Sequence, residues 1–121
     1  MVNNNQLPLD VYLSNAISAC EVLTELKSNG PDEFYAREIV GRGAAQAIEQ
    51  VGESYIGITK WYPEVEQFLI EEFDRFVAIP KMRQIIAHVY HTLDRDIVWS
   101  VVEHNSEDLL FALRSAEAHF C

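Results

Sequence analysis

Cysteine, proline and glycine are scarce in this chain, which has two, four and five of them among its 121 residues. The two cysteines, Cys20 and Cys121, do not have the spacing of a zinc motif or a disulfide framework. Sandwiches and barrels need a turn residue roughly every 8–12 positions, so the low proline and glycine content argues against both. Cys20 falls on an apolar helical stripe, where we expect a buried free thiol in a reducing compartment.

Long apolar runs are also missing. No stretch approaches the roughly 18 apolar residues that a membrane-spanning helix requires. The first ten residues have neither the basic segment nor the apolar stretch of a secretion signal. The sequence therefore predicts a cytoplasmic protein without a membrane partner.

Positive charge is the third scarcity, since 9 lysines and arginines against 19 acidic residues give a net charge of −10. Sequence-independent binding of nucleic acid depends on Lys and Arg side chains that neutralise phosphates, and this chain has few of them. Any binding to nucleic acid should therefore be local, weak and sensitive to salt. The same charge suits association with a basic protein surface.

What the sequence does contain is apolar residues at helical spacing along its whole length. Apolar residues make up 49% of the chain, enough for one core, and the length is that of one domain. We predict a single all-α domain over 1–121, an antiparallel bundle of four to five helices, with 1–7 as a flexible tail. The predicted helices begin at Leu9, at 32 (one long helix to about 60), at Pro63, at 79 (to about 91) and at 94. The last is either one helix or two (94–104 and 106–120).

The most informative stretch lies in the predicted fourth helix and runs from Met82 to His91. A structural helix needs its apolar stripe there, but it does not need Arg83, His88 and Tyr90 so close together. At 100° per residue, Arg83 and Tyr90 nearly eclipse each other, whereas Arg83 and His88 lie about 140° apart. These two side chains converge on one small substrate only if the helix loosens near His88, or if a symmetric dimer assembles the site.

These residue types suit cleavage of RNA by attack of the ribose 2′-OH on its own phosphate. The imidazole of His88, with an ordinary pKa of about 6.5, can move protons near neutrality. The planar guanidinium of Arg83 matches the charge and geometry of a phosphate. This chemistry needs no cofactor or metal, and no cluster of acidic residues and histidines has metal-ligand spacing. His88 and His91 alone remain an alternative pair of metal ligands.

The motif also resembles that of a known family. Arg83-x4-His88-x-Tyr90 is similar to the Arg-x4-His-x-Tyr signature of the HepT branch of the HEPN ribonucleases. The segment from Glu38 to Glu53, with its Val-Gly-Glu end, resembles the second helix of that family. The segment from Asp94 to Trp99 resembles the stretch that follows the family motif.

The resemblance implies an all-α homodimer that acts as a metal-independent endoribonuclease toxin, with its cleft between the subunits. Arg83 and His88 carry over as catalytic residues. The implied partner is a nucleotidyltransferase antitoxin of the MntA type, which attaches AMP to the motif tyrosine, here Tyr90. Added bulk and phosphate charge at an anion site would repel RNA.

Three further residues are candidates for a supporting role. Family members commonly have a short polar residue directly after the arginine, whereas this chain has Gln84, whose amide can make similar hydrogen bonds from a longer stem. Lys81 would add positive charge beside Arg83. Glu53 would orient Arg83 or His88 as a neighbouring carboxylate, although a surface position is the plainer interpretation.

Two other functions remain open at this stage. One is a non-catalytic module in which the same fold binds a nucleotidyltransferase or a nucleotide through the motif. The other is a bundle without any phosphate chemistry. For Trp99, Trp61 and Tyr62 we expect packing roles rather than base stacking, and we assign no role to His104 or His119.

Overall fold

The computed structural model describes residues 6–73 and 94–121, which form helices and no strands. The prediction of an all-α bundle is therefore confirmed, while the helix expected over 79–91 lies outside the described residues. In the described part of the chain, no helix has the length and apolar character needed to cross a membrane. The helices are α1 (Leu9–Asn29), α2 (Pro31–Ala36), α3 (Glu38–Trp61), α4 (Pro63–Phe73) and α5 (Arg95–Phe120).

The first helix ends as its sequence predicts. Gly30 has a φ of 89°, a left-handed conformation that side-chain-bearing residues rarely adopt, and its N–H donates to the carbonyl of Lys27 (3.1 Å). Pro31 then opens α2, where its missing N–H removes no helical hydrogen bond. This glycine–proline pair turns the chain sharply between α1 and α2.

The prediction of one long helix from about 32 to 60 is wrong, because the helix is interrupted at Arg37. Arg37 is extended, with φ −128° and ψ 116°, and separates α2 from α3. Phe34, only 1% exposed, anchors α2 in the core. The carbonyls of Phe34 and Tyr35 accept hydrogen bonds from Arg95, far along the chain. Tertiary contacts of this kind end a helix that the apolar period alone would continue.

The last segment is one continuous helix rather than two. The side chain of Asp94 caps α5 by accepting from the N–H groups of Asp96 (3.0 Å) and Ile97 (3.3 Å). Ser106, which resembled a second helix start, is fully buried and donates its hydroxyl to the carbonyl of Val102 (2.6 Å). Because that hydroxyl is satisfied inside the helix, nothing at Ser106 interrupts α5.

The core lies where α1 packs against α3 and α5. Cys20 sits in it as a free, fully buried thiol, as predicted, and burial raises its pKa to about 12. Near the start of α1, the ring of Tyr12 lies directly against the backbone at Gly57. Only glycine permits that approach, because a Cβ there would lie 2.3 Å from a carbon of the ring.

Candidate functional site

The motif residues Lys81, Arg83, Gln84, His88 and Tyr90 lie outside the described residues. In the sequence they fall between α4 and α5, and Tyr90 precedes Arg95, the first residue of α5, by five residues. The start of α5 is therefore the described element that follows the motif along the chain.

That start is tied to α2 by a clamp formed by Tyr35, Arg95 and Asp96. Nη2 of Arg95 donates to the carbonyls of Tyr35 (2.8 Å) and Phe34 (3.3 Å) at the end of α2. The hydroxyl of Tyr35 donates to Oδ1 of Asp96 (2.6 Å), and the Arg95 guanidinium lies 5.6 Å from the centre of the Tyr35 ring. The clamp thus fixes the first turn of α5, directly after the segment that carries the motif.

Asp96 also affects the titration of Tyr35. Because the carboxylate accepts the phenolic hydrogen, it raises the pKa of Tyr35 to about 12. The hydroxyl, which is protonated at neutral pH in any tyrosine, therefore remains a donor well into the alkaline range. Nε of Arg95 is buried and has no hydrogen-bond partner among the described residues, so this guanidinium is held by one of its outer nitrogens and by the Tyr35 ring.

The candidate supporting residue that the structure does describe is Glu53. It is exposed on α3, at the edge of an open groove of about 620 Å³ between α1 and α3. Small residues, Ala19, Gly43 and Ala47, help to line this groove. Glu53 also lines a second, smaller cavity farther along the same seam. The contact of Glu53 with Arg83 or His88 stays a prediction, because both of those residues lie outside the described part of the chain.

The aromatic residues and histidines singled out in the sequence, and also Arg42, make contacts within the described helices. Arg42 pairs with Glu38 one turn away (2.7 Å), and this ion pair lowers the pKa of the Glu38 carboxyl. Trp99 packs against Phe34, with 5.2 Å between ring centres, as expected for a packing residue. The remaining aromatic or imidazole side chains either pack on the core (Trp61 and Tyr62), stack on Phe68 (His119), or lie exposed beside Glu103 (His104).

Sequence reasoning missed the clamp and the smaller cavity. The clamp joins residues about sixty positions apart, and neither Tyr35 nor Arg95 stands out from a helical pattern. The cavity had a detectable signal, since Asn15 and Gln50 are polar positions flanking the apolar stripes of α1 and α3. That pattern alone does not distinguish a cavity from an ordinary solvated edge.

The chain was compared with known proteins and protein families. A family model described as Ribonuclease HepT-like matches residues 16–116. That range extends from the first turns of α1 into the last turns of α5, and it includes the whole segment from Lys81 to Tyr90. No curated protein and no solved structure matches the chain.

Proposed function

This chain belongs to the Ribonuclease HepT-like family, and we propose that it is the endoribonuclease toxin of a toxin–antitoxin pair. The observation that carries the proposal is the family match over residues 16–116, within which Arg83, His88 and Tyr90 keep the spacing of the family signature. We further propose that residues 1–121 form a single domain and that two chains form a homodimer.

In the proposed reaction, the ribose 2′-OH attacks the adjacent phosphorus while the bond to the 5′-oxygen breaks. The products are a 2′,3′-cyclic phosphate and a 5′-hydroxyl. His88 moves the proton in this step, and Arg83 stabilises the charge on the phosphoryl oxygens. Every atom of the products comes from the RNA, so the step consumes no second substrate, and we propose that it uses no cofactor.

Lys81 and Gln84 would support the two catalytic residues. Lys81 adds positive charge beside Arg83, and the amide of Gln84 donates to or accepts from the substrate. Because a chain with a net charge of −10 repels RNA at long range, we expect cations from both copies of the dimer to create a local positive cleft.

The ribonuclease activity would be inhibited by a partner protein, the antitoxin. We propose a nucleotidyltransferase antitoxin of the MntA type that transfers AMP to the hydroxyl of Tyr90, with pyrophosphate leaving from ATP. The added phosphate would repel RNA at the site where Arg83 binds it. Mass spectrometry of the chain co-expressed with such a partner should show one added AMP on Tyr90, and loss of the addition in Tyr90→Phe.

Cleavage of RNA in EDTA tests the enzymatic proposal. Wild-type chain should cut RNA, whereas Arg83→Ala and His88→Ala should each reduce the rate by at least about a hundredfold. Arg114→Ala and His104→Ala are matched controls, because both side chains are exposed on α5 and each pairs with an exposed carboxylate, Arg114 with Glu21 and His104 with Glu103. Their activity should remain at the wild-type level.

One observation favours a second candidate, a non-catalytic module that binds a nucleotidyltransferase. The net charge of −10 is better suited to a basic protein surface than to RNA. If purified chain leaves every RNA intact and expression is harmless to cells, the binding module replaces the enzyme. A neighbouring gene for a nucleotidyltransferase is expected under both functions and does not separate them.

A further inference from the structure

The smaller cavity on the α1–α3 seam has the size and lining of a ligand site. Its volume is about 320 Å³, at the lower end of the range for small-molecule pockets. A single planar heterocycle fits a space of this size. The described residues around it are Leu7, Tyr12, Asn15, Gln50, Glu53, Ser54, Ile56, Gly57, Lys60 and Trp61.

One wall of this cavity is held in place by hydrogen bonds from α1 and from the turn between α3 and α4. The N–H of Leu7 donates to the hydroxyl of Tyr12 (3.2 Å), and the hydroxyl of Tyr62 donates to the carbonyl of Leu7 (2.8 Å). Tyr12 itself is fixed against the backbone of Gly57. Residue 7, at the end of the expected flexible tail, is thus attached to the bundle, and the wall is formed before any ligand arrives.

The lining combines an aromatic ring with polar side chains that can donate or accept hydrogen bonds. Trp61 is half-buried, and the ammonium of Lys60 lies 4.9 Å from the centre of its ring. Gln50 donates to the hydroxyl of Ser54 (3.3 Å), which orients its amide. Asn15 and Glu53 are exposed at the rim, and the Glu53 carboxylate offers only acceptors.

We propose that this cavity binds one base of the RNA substrate, with guanine as the preferred base. The Watson–Crick edge of guanine presents two adjacent N–H donors, which match the two oxygens of one carboxylate. The Glu53 carboxylate accepts both, the amide of Asn15 meets the remaining edge, and the ring lies against Leu7 and Trp61. Trp61, for which the sequence predicted packing alone, is half-buried and would add a contact with the base. Glu53 then holds the substrate and does not need to orient a catalytic side chain.

Base binding also explains how so acidic a chain selects RNA. Phosphate contacts need many cations, whereas stacking and edge contacts do not depend on net charge. Among the described lining residues, Lys60 is the one cation, placed to meet a phosphate next to the bound base. This inference rests on the proposed ribonuclease function, because it assigns the cavity to that enzyme's substrate.

Equilibrium dialysis with the four ribonucleoside monophosphates tests the proposal on the intact chain. GMP should bind more tightly than UMP, and Asn15→Ala and Glu53→Gln should weaken GMP binding roughly five- to hundredfold. Ser18→Ala is the matched control, because Ser18 is exposed on the same face of α1 but lines only the larger groove. It should leave GMP binding unchanged, and all three variants should keep the wild-type circular dichroism spectrum.

Equal binding of all four nucleotides, or equal effects of Asn15→Ala and Ser18→Ala, would overturn the proposal. Protection of Lys60 from acylation by a protein partner, but by none of the nucleotides, would also overturn it and assign the cavity to protein binding. The cleavage assay gives a separate answer. RNA cleavage without selective GMP binding leaves the ribonuclease and removes the base site, whereas selective binding without cleavage does the reverse.

Discussion

At the residue scale, Gly57 and Gly43 occupy the same helix but have opposite surroundings. A Cβ on Gly57 would lie 2.3–2.9 Å from three carbons of the Tyr12 ring, which is itself 7% exposed and cannot easily move. We expect Gly57→Ala to lower the free energy of unfolding by about 1–3 kcal/mol, measured by urea denaturation.

Gly43→Ala is the matched control for this prediction. A Cβ on Gly43 meets nothing within 4 Å, so the substitution brings only the higher helix propensity of alanine. It should raise the free energy of unfolding by about 0.5–1 kcal/mol. Destabilisation of similar size in both variants would contradict the contact between Tyr12 and Gly57.

The two cysteines give a second prediction at this scale, based on thiol reactivity. The pKa of Cys20 is about 12 against an ordinary 9.0, because burial disfavours its thiolate, whereas Cys121 is exposed. A disulfide reagent at pH 8 should therefore modify one thiol per native chain and two in denaturant. Equal rates for both thiols in the native chain would show that Cys20 is accessible.

The shifted pKa of Cys20 also gives the sign of its effect on stability. Between about pH 9 and 12 the unfolded chain loses the Cys20 proton while the folded chain keeps it. The contribution of this group to the free energy of unfolding is therefore fully present below pH 9 and decreases as pH rises through 12.

Sequence alone predicted the burial of this thiol from its place on an apolar stripe, but it did not predict the contact between Gly57 and Tyr12, which depends on how two helices approach.

At the element scale, the clamp between α2 and α5 predicts a large effect of one arginine. Arg95→Gln removes a charged donor from the carbonyls of Phe34 and Tyr35 and should lower the free energy of unfolding by about 1–3 kcal/mol. Arg114→Gln, also on α5, breaks an exposed ion pair with Glu21 of α1 and should cost less than about 1 kcal/mol. Urea denaturation of both variants would contradict the clamp if their losses were equal.

The sequence predicted most of the helical elements but not every boundary. Gly30 and Asp94 identify helix ends because each has a local mechanism, a left-handed turn at one and a side-chain cap at the other. The break at Arg37 had no such local signal, since it depends on Phe34 entering the core and on Arg95 reaching the end of α2. The continuity of α5 through Ser106 was also open, because a serine can cap a helix or lie within one.

At the scale of the whole molecule, the proposed dimer leads to a complementation experiment. If Arg83 of one chain and His88 of the other share a site, a mixture of Arg83→Ala and His88→Ala chains contains heterodimers with one intact site. After subunit exchange in equal amounts, RNA cleavage should return to about a quarter of the wild-type rate.

A mixture that stays inactive, although mass spectrometry shows that heterodimers have formed, would place both residues in one subunit. The sequence left these two arrangements open, because in a straight helix Arg83 and His88 point about 140° apart.

The family and its motif could be identified from the sequence, since they depend on the order of residues. The base-binding cavity was not, because it depends on how α1 and α3 pack side by side.

We propose above all that this chain cleaves RNA through the 2′-OH with no metal. To test this, the chain is incubated in EDTA with two matched oligonucleotides, one all-RNA and one with a single 2′-deoxynucleotide at the cleavage position, and the products are identified by mass spectrometry. We expect cleavage of the first, with a 2′,3′-cyclic phosphate and a 5′-hydroxyl, and no cleavage of the second at that position. Cleavage of both at the same bond, or an all-RNA strand left intact, would show that the proposed reaction is wrong.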